Sequence, residues 1–169
     1  MIHSIENFYA GAKLFAKELD IFVAKHNLEK HVRADHICFK CQSQDEFESI
    51  RKIFEIESEY VYQSIISNRR IAYIKLKKGI ETSVGEIFFV ELSDQKPDGS
   101  QVSRYDHIEI YPVHMSYHDL VHILKKSDES SKEVSRPHHS TFDITLPSSF
   151  LIRVEKDALI DKIKREEMV

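Results

Sequence analysis

Cysteine is scarce, long apolar runs are missing and neither charge sign dominates, and each shortage removes a class of protein. Two cysteines in 169 residues, Cys38 and Cys41, are too few for a disulfide framework. No apolar stretch approaches the roughly 20 residues that span a bilayer, and the first residues show no basic stretch followed by an apolar segment of the secretory kind. The expectation is a cytoplasmic protein with no membrane partner. The 24 Lys plus Arg against 28 Asp plus Glu leave a net charge of −4, and no run of five basic residues occurs. Nucleic acid is therefore not expected as a partner, and a small-molecule ligand is. What is present suffices for a core: 41% of residues are apolar, including ten Phe and seven Tyr. Ten histidines stand out beside them.

Hydrophobic spacing orders the chain. Phe8, Ala12, Phe15, Leu19 and Phe22 recur at steps of three and four, which predicts an amphipathic helix over residues 5–27. Ala34 to Lys40 reads as a strand, and Ser43-Gln44-Asp45-Glu46 is a capping box that opens a second helix with Phe47, Ile50 and Phe54 inward. Two strands, Tyr60–Ile66 and Ile71–Leu76, form a hairpin, Gly79 and Gly85 bracket the next turn, and Glu86–Leu92 is a further strand. After a polar linker the pattern restarts, with a strand over Tyr105–Tyr111 and a capped helix from Ser116. Lys125 to Arg136 is polar and shows no clear strand. Thr141–Leu146 and Phe150–Glu155 form a hairpin, and Asp157–Glu167 reads as a charged closing helix. The expected organisation is an N-terminal helix (1–30), a first β-α-β-β-β module (31–93), a linker (94–103) and a second module with the C-terminal helix (104–169).

An internal repeat locates the candidate site. Arg33-Ala34-Asp35-His36-Ile37 recurs as Arg104-Tyr105-Asp106-His107-Ile108, identical at four of five positions and 107 − 36 = 71 residues on. The closing strands echo more weakly, Val90-Glu91-Leu92 beside Val154-Glu155-Lys156. Alternate side chains of a strand face opposite ways, so His36 shares a face with Cys38, and His107 shares one with Glu109. Pairing the halves about a twofold brings the histidines together, with Glu91 and Glu155 from equivalent strands. Two imidazoles and two carboxylates suit Zn, Ni, Mn or Fe(II). By the same parity Asp35 and Asp106 fall on the opposite face and are expected to tether the strand starts through Arg33 and Arg104.

The repeated Arg-x-Asp-His-Ile, the Ile65–Ile71 hairpin, Phe89-Val90-Glu91-Leu92 and Tyr105–Ile110 together resemble the YecM-like proteins of the vicinal-oxygen-chelate superfamily, with glyoxalase I, bleomycin-resistance proteins and extradiol dioxygenases. The resemblance implies an α+β fold in which two β-α-β-β-β modules form a cupped, partly closed mixed sheet around a metal or ligand. It implies His36, Glu91, His107 and Glu155 as metal ligands, in the order seen in bacterial glyoxalase I, with Glu91 and Glu155 as the catalytic pair. His36, His107 and Glu155 alone would fit an iron site. The implied functions are metal-dependent isomerase or lyase chemistry on a small oxygenated molecule, Fe(II) oxygenation, or ligand binding without catalysis. Related folds also pair modules between chains, which leaves a homodimer as an option.

Secondary candidates are fewer. Glu109 shares the His107 face and could serve as ligand or base. Cys38 and Cys41 match C-x-x-C, but a redox pair needs a helix N-terminus and Cys38 lies in a strand, so two free thiols are expected, with Cys38 facing the cup. Arg69 could hold an anion, and His139 could line the cup mouth. His118 and His122 have helical spacing without the Glu of H-E-x-x-H and read as a solvated face.

Overall fold

The computed structural model describes residues 2–66, 68–127, 129–135 and 140–161. Helix α1 (Ile5–Lys25) is capped by Ser4, whose side chain accepts from the Asn7 N–H, and it buries Phe8, Ala12, Ala16, Leu19, Phe22 and Val23. Strand β1 (Val32–Lys40) leads to α2 (Gln44–Glu57), where Ser43 caps the helix by accepting from the Glu46 N–H, while the Glu46 side chain reaches back one residue past the cap to accept from the Gln42 N–H. Strands β2 (Ser58–Ile66), β3 (Arg69–Thr82) and β4 (Gly85–Ser93) follow. The second half runs β5 (Arg104–Pro112), α3 (Tyr117–Leu124), β6 (Ser130–Ser135), β7 (Ser140–Thr145) and β8 (Leu151–Val154).

All eight strands form one mixed, unclosed sheet in the order β2-β3-β4-β1-β5-β8-β7-β6. Each half contributes four adjacent strands, and each closing strand lies parallel to its opening one, β4 to β1 and β8 to β5. The halves meet at the antiparallel pair β1–β5. This is the paired α+β arrangement that the resemblance implied. One face of the sheet presents Ile37, Phe39, Val90, Ile108, Ile110 and Ile152 to the helices in a single apolar cluster with Phe8, Phe47, Phe54 and Leu120. The other face carries the histidines.

Two expectations need correction. The stretch read as strandless contains β6, paired along its length with β7. It escaped detection because an exposed edge strand, Ser-Ser-Lys-Glu-Val-Ser, buries no face and so shows no apolar alternation. Strand β3 also runs past Gly79 to a tight turn at Thr82–Gly85, with a register shift between Lys75 and Ile80. Of the expected closing helix, residues beyond 161 lie outside the described ones.

Gly11 sets how closely α1 lies on β5. A Cβ there would stand 2.6 Å from the Tyr105 ring, which is itself wedged among Phe8, Phe15 and Phe39 and donates its hydroxyl hydrogen to the Phe8 carbonyl at 2.7 Å. Overpacking a filled contact costs about 1–3 kcal/mol, against a helix-propensity gain of up to about 1 kcal/mol for replacing glycine. Gly11→Ala is therefore expected to lower the urea unfolding midpoint. In a Tyr105→Leu background the same change should cost less, and an equal cost in both backgrounds would contradict this packing account.

Candidate metal centre

Two bulges in the central strand pair create the site. Ala34 pairs with Ile110 and Ile37 with Ile108, so Asp35 and His36 together oppose Glu109 alone. Further on, Cys38 pairs with His107 and the next residue, Phe39, with Tyr105, so Asp106 is the extra residue on β5. A bulge re-aims side chains that strict alternation would send apart. Asp35 and Asp106 thereby turn to the histidine side, which corrects the parity reading. His36 Nδ1 lies 2.9 Å from Asp35 Oδ2, and His107 Nδ1 lies 3.0 Å from Asp106 Oδ2. The tether reading holds only in part. Arg104 and Lys40 do pair with Asp106, at 2.6 and 2.7 Å, while Asp35 accepts from the Leu159 N–H at 2.8 Å and Arg33 donates to the Val32 carbonyl instead.

In the neutral rings, with each Nδ1–H donated to an aspartate, each Nε2 is the acceptor nitrogen. His36 Nε2 is buried and has no hydrogen-bond partner, with Glu91 Oε2 3.6 Å away. One ligand atom each from His36, Glu91 and His107 falls within 4.8 Å of the others, and the two imidazole rings stand 5.9 Å apart. Glu109 reaches both, 3.7 Å from His36 Nδ1 and 3.7 Å from His107 Nε2. Cys38 lies between, its thiol donating to Glu91 Oε1 at 3.3 Å. Burial opposes a charge on His36, but Glu109, Asp35 and Glu91 around it outweigh that and hold its pKa up at about 10. Burial would raise Glu91, yet its contact with His36 holds it down at about 2. Burial first, and then Glu91 and Asp106, push the Cys38 thiol far up, so it stays protonated and unreactive.

The second closing strand departs from expectation. Glu91 pairs with Cys38, and Cys38 corresponds to Glu109 in the repeat, whose partner on β8 is Arg153. Arg153, not Glu155, therefore holds the place equivalent to Glu91. Glu155 is buried two residues further on, past the end of β8, and its N–H donates to the Ile110 carbonyl. Among the described residues it joins none of the clusters of converging ligand atoms. Arg153 was missed because the strands were matched on Val90 and Val154. The apolar-charged-apolar triplets Val90-Glu91-Leu92 and Ile152-Arg153-Val154 align instead on Val90 with Ile152.

The remaining candidates lie elsewhere. Arg69 lines an opening of about 750 Å³ with Ser43, Asp94 and Lys96, and bonds Gln101, away from the histidines. Arg70 is taken up by Glu48 and Asp94. Cys41 is a buried free thiol, and His139 lies outside the described residues.

Comparison with known proteins fits this frame. The YecM protein family profile matches residues 4–157. The chain belongs to the YecM family. Among solved structures, a structural-genomics protein designated EC4020 superposes with a TM-score of 0.69 at 20% identity, covering 90% of this chain and 87% of its own. A hydroxyglutarate synthase from Oryza sativa, solved with 2-oxoadipate, superposes at 0.52 with 8% identity, covering 92% of this chain and 83% of its own. At such identities these structures speak for the fold of the YecM-family chain alone. A search of curated proteins returns no match. No helix among the described residues is long and apolar enough to cross a membrane.

The two shifted groups define a pH window for the metal-free YecM-family chain. His36, raised from 6.5 to about 10, contributes its full stability below pH 6.5 and loses it as pH climbs toward 10. Glu91, lowered from 4.5 to about 2, contributes above pH 4.5 and loses it as pH falls toward 2. Urea midpoints measured from neutral to alkaline pH should fall with rising pH in the wild type and fall less in His36→Gln. Parallel slopes in the two proteins would mean that His36 is not the titrating group.

Proposed function

We propose that this chain holds a divalent metal ion on His36, Glu91 and His107 and binds a small oxygenated molecule beside it. One observation carries the reading: the buried, unpartnered Nε2 of His36 faces Glu91 and His107, while Asp35 and Asp106 fix both imidazoles through Nδ1. Such carboxylate–histidine pairs orient ring ligands and raise their basicity. The donor set of two nitrogens and one carboxylate oxygen suits Zn, Ni, Mn or Fe(II). A bound ion would supply Lewis-acid chemistry at a carbonyl, or oxygen chemistry if it is Fe(II).

The chain's own residues divide the remaining work. Asp35 and Asp106 hold the ligating rings, and Cys38 supports the Glu91 carboxylate through its thiol hydrogen. Glu109, 3.7 Å from both rings, is the group placed to exchange a proton with a bound molecule, which supports an isomerase or lyase reading. A specific observation favours the alternative of Fe(II)-dependent oxygenation. Among the described residues His36, Glu91 and His107 form one converging group of three, with Arg153 at the place a second glutamate would occupy, and two histidines with one carboxylate leave positions open on the metal.

Metal analysis of untagged protein tests this reading. About one ion per chain is expected, lost in His36→Ala and in His107→Ala and retained in Glu155→Gln. Asp106→Asn should weaken metal binding about 10- to 100-fold, the usual cost of losing a carboxylate behind a ligating histidine. Because His36 must surrender its proton to the metal, affinity should rise with pH from neutrality upward. If no metal copurifies and added Mn, Fe(II), Ni and Zn all leave the melting temperature unchanged, the metal reading fails.

A further inference from the structure

Arg153 is a charged side chain set into the inner face, where only 13% of it stays exposed. Its Nε and Nη2 are clamped by Asp143 at 2.8 and 3.0 Å, and Asp143 Oδ1 also accepts from the Thr141 hydroxyl. That fork fixes the guanidinium plane and directs Nη1 at the site. There Nη1 stands 3.0 Å from His107 Nε2 and 3.4 Å from Nδ1 of the same ring. Distances so nearly equal place it over the imidazole face, because an approach along the Nε2 lone pair would leave Nδ1 much farther away. This contact takes one Nη1 hydrogen of the five N–H donors that a guanidinium carries. Glu109 Oε1, at 3.9 Å, is beyond hydrogen-bond reach. Arg153 thus brings its guanidinium to the edge of the site beside His107.

We propose that Arg153 is the anion-binding residue of the site and selects a small carboxylate ligand. The proposal rests on the small-molecule site argued above. The charge also orients the ligand, since the two halves differ at this level. Where the second half has Arg153 and Asp143, the first half has Glu91 and Tyr73 at the equivalent places, and Tyr73 continues into a stacked row with Tyr62 and Tyr60. The carboxylate lies toward β8, and the body of the molecule points toward the tyrosines of β3 and β2.

The test compares pyruvate with hydroxyacetone, which keeps adjacent oxygens but lacks the charge, using calorimetry on Co(II)-loaded and on metal-free protein. Wild type is expected to bind pyruvate more tightly, and Arg153→Gln to lose about 10- to 100-fold of that affinity, as for a charge-assisted hydrogen bond, while hydroxyacetone binding stays unchanged. Arg153→Gln alone strands a buried Asp143, so Arg153→Gln/Asp143→Asn, which keeps a neutral pair, is run beside it and should show the same loss. Absence of pyruvate binding to wild type, equal affinity for the two probes, or pyruvate preference retained in the double variant overturns the proposal. Cobalt stoichiometry is read separately. Wild type that takes up no Co(II) defeats the metal reading, and the pyruvate comparison on metal-free protein then still decides the role of Arg153.

Discussion

The bulged pairing of β1 with β5 is the constraint on which the site depends. These strands lie at the centre of the sheet, where the two halves meet, and a regular ladder there would have pointed Asp35 and Asp106 into the apolar layer among Phe8, Phe39 and Ile108. A carboxylate buried without a partner is costly, and in practice it would be driven to its neutral form. One extra residue in each strand moves both aspartates across the sheet, where each finds an imidazole Nδ1. The same device satisfies two buried charges and fixes two ring orientations. It also keeps Ile37, Phe39, Tyr105 and Ile108 on the helix side, so the core is continuous beneath the site.

Much of this was legible in the chain. The repeat at a 71-residue offset implied twofold-related halves, and apolar spacing with the cap signals at Ser43 and Ser116 placed all three described helices. Glycine placement alone misjudged where β3 ends. The errors share a cause: each used a rule for regular strands where the strand is irregular or lies at an edge. Strict alternation fails at Asp35 and Asp106 because a bulge adds a residue without any signal in residue type. Apolar alternation fails at β6 because an edge strand exposed on both faces has no reason to alternate. Matching Val90 to Val154 fails because aligning one β-branched residue ignores the ladder, in which Glu91 and Arg153 face corresponding partners.

The halves keep their symmetry at the floor of the site and abandon it around the floor. Asp35 and Asp106, and His36 and His107, remain equivalent, whereas Cys38 is matched by Glu109, Glu91 by Arg153 and Tyr73 by Asp143. A symmetric floor follows from the shared bulge geometry, because the backbone that re-aims one Asp-His pair re-aims the other. Nothing in that geometry fixes the neighbouring positions, whose side chains are set by what they face across the ladder. A second glutamate in place of Arg153 would bring another carboxylate close to Glu109, Glu91 and Asp143, four like charges in a region of low polarisability. Arginine there neutralises Asp143 and leaves Glu109 and Glu91 as the two carboxylates beyond the aspartates that hold the imidazoles. An arginine at this position therefore also removes the repulsion a further carboxylate would create, and it sets an Arg153–Asp143 pair on one side of the site opposite the tyrosines on the other.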